Sequence, residues 1–150
     1  MEIPDEFHFQ TERRIEFADT DMAGIVHFAN FLKFVESAEH AFFRSLGTSV
    51  HFTQADGPAQ GWPRIEANIR YAQPAKFEDV VQIGIRILEI RTTSLRYGFW
   101  ILAGTDRSRR LLASGTMAII HVELAAGGIR KAEIPPELRS KLEAASVSKS

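Results

Sequence analysis

Residues 17–36, FADTDMAGIVHFANFLKFVE, decide how this chain is read. Two aspartates, Asp19 and Asp21, stand two apart and are followed by the small Ala23-Gly24 pair. Behind them Phe28, Phe31, Leu32, Val35, Ala38, Phe42 and Leu46 recur at intervals of three and four. That period predicts a helix over about 26–46 with an apolar face. Phe34, Ala41 and Phe43 widen the stripe, while Glu36, Glu39, His40 and Arg44 form a polar edge. Gly47 is the expected stop. An aspartate ahead of a helix ordinarily accepts backbone N–H bonds and complements the macrodipole. One aspartate suffices for that, and this stretch has two.

Outward from the helix the period changes to two. Phe7, Phe9, Thr11, Arg13, Ile15 and Phe17 alternate as in a half-buried strand. Residues 48–63 carry ADGPAQGWP and are expected to be a loop. RIEANIRYA, VVQIGIRILEI, TSLRYGFWILAG and LLASGTMAIIHVEL each read as a strand, rich in β-branched and aromatic residues. TDRSRR is the turn between the last two, and Pro135-Pro136 opens a short helix to about Leu142. The order is strand, long helix, four strands, which predicts an α+β fold with a helix covering one face of a curved antiparallel sheet. A single domain over 1–150 is expected, with its core over about 7–135 and a frayed tail over about 143–150.

Composition narrows the function. The 150 residues suit one domain, and 45% hydrophobic with 25% charged residues is globular. A net charge of -1 offers no general attraction to nucleic acid or an anionic membrane. No cysteine is present, which removes disulfides, thiolate nucleophiles and Cys-ligated zinc. MEIPDEFHFQ lacks the apolar core of a signal peptide, and no apolar run has bilayer length. A cytoplasmic protein with no membrane or nucleic-acid partner is expected.

Asp21 has two readings. In the plain one it serves a turn, and spacing alone favours this. In the other it is a carboxylate poised beside a helix N-terminus, whose free N–H groups hold a developing oxyanion. Those are the parts of an acyl-transfer site. Here the sequence resembles the hotdog-fold acyl-CoA thioesterases of the 4-hydroxybenzoyl-CoA thioesterase-like branch. The resemblance lies on Asp19, Thr20, Asp21, Ala23, Gly24, Ile25, Val26, Asn30 and Phe31, and extends through GWPRIEANIRYAQPAKFEDVV, SLRYGFWI and LLASGTMAIIHVE.

The resemblance implies one hotdog domain, with a curved antiparallel sheet wrapped around one long central helix. It implies hydrolysis of an acyl-CoA thioester to a free acid and CoA, with no metal and no cofactor beyond the CoA of the substrate. Asp21 matches the catalytic aspartate, as nucleophile or as base toward water. The backbone N–H of Phe28 matches the group that polarises the thioester carbonyl. Gly61 matches a loop glycine whose N–H approaches from the partner subunit of a dimer or tetramer. Arg91 and Arg130 fall where that branch places arginines for the CoA phosphates.

Other residues stay open. Asp19 is expected to shape the turn. His27 is either a helix-start histidine without a role or an acid/base near neutral pH. Asn30 could orient a water or the Asp21 carboxylate. Glu36 and His40 read best as a solvated pair four apart rather than as metal ligands. Glu36 or Glu39 is the next catalytic candidate if Asp21 is not, because another hotdog branch takes its carboxylate from the central helix. Two alternatives to a CoA thioesterase also stand: an enzyme acting on acyl carrier protein esters, and an acyl-CoA-binding protein without turnover.

Overall fold

The computed structural model describes residues 1–53, 57–105 and 107–147. The expected loop over 48–63 and the turn TDRSRR thus lie partly outside the described residues, at 54–56 and 106. The end of the expected tail, 148–150, lies outside them too.

The alternating residues near the start form β1 (Phe9–Arg14), shorter than the period suggested. The chain then turns through a 3-10 segment, Phe17–Asp19, which leaves Phe17 77% exposed. The helical period becomes α1 (Phe28–Ser45), which buries Phe31, Phe34, Val35, Ala38, Phe42 and Phe43. Gly47 ends it with φ +79, a left-handed backbone that glycine adopts without a Cβ penalty. Two expectations on this helix are corrected. Phe28, assigned to the apolar face, is exposed at the first turn of the helix, where its ring meets His27 and Tyr71. Glu39, assigned to the polar edge, is 1% exposed, because partners from two strands reach it.

The strands are β2 (Phe52–Thr53), β3 (Ala59–Gly61), β4 (Arg64–Tyr71), β5 (Val80–Ile90), β6 (Ser94–Ala103), β7 (Arg110–Ile120), β8 (Val122–Ala125) and β9 (Gly128–Lys131). They form two antiparallel sheets, ordered β1-β5-β6-β7-β4 and β2-β3-β8-β9. The 48–63 segment is therefore not all loop, since it supplies two short strands. The last expected strand is broken. At His121 the backbone N–H leaves the ladder for the Thr93 carbonyl, 2.7 Å away, and β8 continues in the smaller sheet. β9 pairs back on β8 through a two-residue hairpin at Ala126-Gly127.

The inner face of the large sheet meets α1. Val81, Ile83 and Ile85 of β5, Leu95, Phe99 and Ile101 of β6, and Ala113 and Ile119 of β7 are buried there. The residues ahead of β1 lie along β5 and β6. Ile87 N–H donates to His8 Nδ1 at 3.0 Å, and Trp100 Nε1–H donates to the Glu2 carbonyl at 2.9 Å. A second helix, α2 (Pro136–Ser146), buries Leu138 and Leu142. The expected fraying from 143 is thus corrected, as the helix runs on to Ser146. No helix among the described residues is long and apolar enough to cross a membrane.

Candidate active site

The site is built on the turn between β1 and α1. Asp19 is buried there, and burial of a carboxylate demands partners. Arg13 Nη2 reaches both of its oxygens, at 3.1 and 3.2 Å, and the Glu16 N–H donates to Oδ2 at 2.8 Å. The Asp19 carbonyl accepts two further bonds, each of 2.9 Å, from the His27 N–H and from Asn30 Nδ2. Asn30 thus anchors the turn, and its amide is directed at Asp19 rather than at Asp21.

Beyond Thr20 a small hairpin begins, closed by the Thr20–Val26 bridge. Asp21 N–H donates to the Ile25 carbonyl at 2.9 Å, and Gly24 N–H donates back to the Asp21 carbonyl at 3.0 Å. Gly24 holds φ +80, which this tight reversal requires. The Asp21 carboxylate is exposed. Its Oδ1 accepts the Ala23 N–H at 2.8 Å, and among the described residues nothing bonds Oδ2. No cation among the described residues pairs with it.

The first turn of α1 follows directly. A helix leaves its first N–H groups without intrahelical partners. His27 is the N-cap, and its Nδ1 accepts the Ala29 N–H at 3.2 Å. Asn30 N–H donates to the His27 carbonyl at 2.9 Å. His27 N–H is held by Asp19, as above. The Phe28 N–H lies between these, and no described residue accepts from it. It is an open donor at the positive end of the helix. Beside it lies an apolar groove of about 330 Å³, lined by Ile25, Val26, Phe28, Phe31, Tyr71 and neighbouring residues. A carboxylate with a free oxygen, an unpaired amide at a helix start and an apolar groove are the parts that acyl transfer uses.

The other expected residues are elsewhere in the chain. Gly61 is buried at the end of β3, opposite Val122 of β8, rather than in a loop. It lines a different groove, of about 380 Å³, with Glu36, His40, His51, Trp62 and Arg64. Arg91 lines a third groove, of about 540 Å³, and its Nε pairs with Glu89 at 2.9 Å. Arg130 is not in that groove; it is exposed on β9 and paired with Glu123 at 2.5 Å. Arg139 shares the Arg91 groove and donates to the Arg91 carbonyl. The sequence reading missed it, although the Leu138–Leu142 spacing of α2 was the signal that could have placed it.

Glu36 and Glu39 converge on one guanidinium. Arg64 Nη1 lies 2.7 Å from Glu39 Oε2, and Nη2 lies 3.1 Å from Glu36 Oε2. The Tyr97 hydroxyl donates to the same Glu39 oxygen. Burial, then the Glu39 charge and hydrogen bond, push the Tyr97 phenol well up. Burial alone would weaken the Arg64 charge, but the Glu39 hydrogen bond and charge outweigh it and raise its pKa. One guanidinium thus serves two carboxylates, with the Tyr97 hydroxyl as a further donor to the buried one.

The chain is similar to known proteins over most of its length. Residues 15–142 match the Thioesterase-like superfamily. A 1,4-dihydroxy-2-naphthoyl-CoA hydrolase of Synechococcus elongatus is 29% identical over 142 residues, which span 90% of this chain and 95% of that protein. A 4-hydroxybenzoyl-CoA thioesterase of a Pseudomonas species is 32% identical over 84 residues, 55% of this chain and 60% of that one. The crystal structure of a 1,4-dihydroxy-2-naphthoyl-CoA thioesterase from Synechocystis superposes with a TM-score of 0.76 at 25% identity, covering 89% of this chain and 94% of its own. The resemblance first carried by residues 17–36 therefore extends over most of the chain, which has the α+β hotdog architecture and belongs to the Thioesterase-like superfamily.

Proposed function

We propose that this chain is an acyl-CoA thioesterase: a single hotdog domain, with α1 as its central helix, that hydrolyses a thioester with water to a carboxylic acid and CoA. The observation that carries the reading is the open Phe28 N–H at the start of α1, a few residues after an exposed Asp21 carboxylate whose Oδ2 has no partner among the described residues. Asp21 attacks the thioester carbonyl, or takes a proton from the water that does. The carbonyl oxygen gains charge, and the Phe28 N–H donates to it in a setting that needs little reorganisation. Collapse of the tetrahedral species expels the CoA thiolate. In the first route this leaves a mixed anhydride on Asp21, which water then hydrolyses to the free acid, the released proton going to the thiolate; in the second, Asp21 passes the proton it took from water to the thiolate.

The apolar groove beside Phe28 receives the acyl group, and its aromatic lining suits an aromatic acid. The relatives named for 1,4-dihydroxy-2-naphthoyl-CoA and 4-hydroxybenzoyl-CoA support that class. The groove of Arg91 takes the CoA phosphates, with Arg139 beside it. The chain works as a homodimer or tetramer. β4 is an edge strand with most residues exposed, Ile65 among them at 59%, and such an edge invites pairing with a second copy. Gly61 of one subunit then completes the site of the other.

The test is a panel of short, long and aromatic acyl-CoA esters, assayed for thiol release. Preferential cleavage of aromatic esters is the expected result. The same esters carried on acyl carrier protein should be poor substrates. Binding of the CoA esters with no release of thiol across the whole panel would sink the enzymatic reading.

A further inference from the structure

The open amide of Phe28 is held in place by its neighbours, and one of them comes from far away in sequence. The peptide that carries this N–H begins at the His27 carbonyl, which accepts from the Asn30 N–H at 2.9 Å. The peptide before it is held through the His27 N–H on the Asp19 carbonyl. The peptide after it is held at both ends. Its N–H, that of Ala29, meets His27 Nδ1, and its carbonyl, that of Phe28, accepts the Tyr71 hydroxyl at 3.0 Å. All but the last of these bonds are local to the turn and the helix start. Tyr71 is the last residue of β4, and its ring packs edge-on to Phe28 and Phe31 with centroids 6.4 and 5.6 Å apart. Just beyond it, the Ala75 carbonyl accepts the Val26 N–H at 2.9 Å.

We propose that Tyr71 is a positioning residue for thioester hydrolysis: its hydroxyl locks the first peptides of α1 to the edge strand, so that the Phe28 N–H is aimed before substrate arrives. The inference rests on the reading of Phe28 as the oxyanion donor. A donor that must rotate into place gives back part of its stabilisation as reorganisation. Tyr71 removes that motion without touching the reacting atoms. Partial burial raises the pKa of its phenol, so it remains a donor through the neutral range. The same ring walls the apolar groove, so the anchor of the amide and the acyl pocket move as one body.

The experiment is Tyr71→Phe in the full chain, which keeps the ring and removes the hydroxyl. Two readouts are taken: steady-state kinetics on the best ester of the panel, and amide NMR of residues 27–30. The expected kinetic result is a fall in kcat of about 3- to 10-fold with KM within about twofold. The expected spectral result is faster exchange of the Ala29 amide and displaced Phe28 and Ala29 resonances, with an unchanged thermal midpoint. Unchanged kcat, or unchanged amide spectra, overturns the proposal. So does a loss confined to KM and stability, which is what a purely packing role predicts. If the wild type cleaves no ester, the functional reading falls alone, and the amide spectra still decide whether Tyr71 positions this turn.

Discussion

Two pairs of carboxylates sit on or just ahead of α1, and they are handled differently. Asp19 and Asp21 precede the helix; Glu36 and Glu39 lie in its middle. In each pair one member is buried and tied to an arginine, Asp19 to Arg13 and Glu39 to Arg64. The partners of the buried members then diverge. Glu36 shares the guanidinium of Arg64, so both members of the helix pair are ion-paired to one cation. Asp21 shares nothing with Arg13, and its Oδ2 has no partner among the described residues. Burial decides which carboxylate needs a cation, and the reach of that cation decides which carboxylate is left available for chemistry.

Substitutions can break this contrast. The largest effect expected is from Asp21→Asn, which should lower kcat by about 10²- to 10⁴-fold while leaving the thermal midpoint close to wild type. Glu36→Gln should leave turnover nearly intact. If Asp21→Asn retains activity and Glu36→Gln loses it, the two sites have been assigned the wrong way round. Glu39→Ala tests the other half. It strands the buried Tyr97 hydroxyl and leaves Arg64 only its exposed partner Glu36, and should cost about 3–5 kcal/mol in denaturant unfolding. A loss well under 1 kcal/mol would show that the clamp is not a stabilising unit.

Asp19→Ala lies between the two classes. It removes the anchor of the turn and should cost about 1–3 kcal/mol, together with activity, because the His27 and Phe28 peptides hang from that turn. Stability lost with activity fully kept would separate the turn from the site.

The smallest effect concerns pH and lies away from both pairs. Burial, then the Arg86 charge, hold the His8 imidazole below its ordinary value of about 6.5, against a smaller opposite pull from Glu6. A depressed pKa means that the unfolded chain binds the proton more readily. The contribution is therefore complete above about pH 6.5 and is lost as pH falls toward the lowered folded value. Midpoints measured across pH 5–8 should decline on the acid side for wild type and decline less for His8→Gln. The kcat profile of the two proteins should coincide, since His8 binds Ile87 on β5 and not the Asp19–Asp21 turn.

Much of this was legible before the structure. The period of three and four placed α1 to within two residues at its start, and Gly47 marked its end. Alternation found β1 and the four long strands of the large sheet. The two aspartates, the Ala-Gly turn and the helix start marked the turn that leads into the open amide. The burial of Glu39 was not legible, because its partners lie 25 and 58 positions away. Nor was the break at His121, where a continuous apolar run passes from one sheet to another because Thr93 accepts its N–H. The pairing of Arg91 with Arg139 rather than Arg130 in one groove is of the same kind.

By itself the sequence determined the elements and the acidic turn, since periodicity, glycine and capping chemistry act over a few residues at a time. Only the tertiary structure decided which carboxylate is neutralised, which amide is left open and which strand holds that amide still. Those outcomes depend on side chains that meet across the sheets, and a charge or an N–H has no settled role until its distant partners have arrived or failed to.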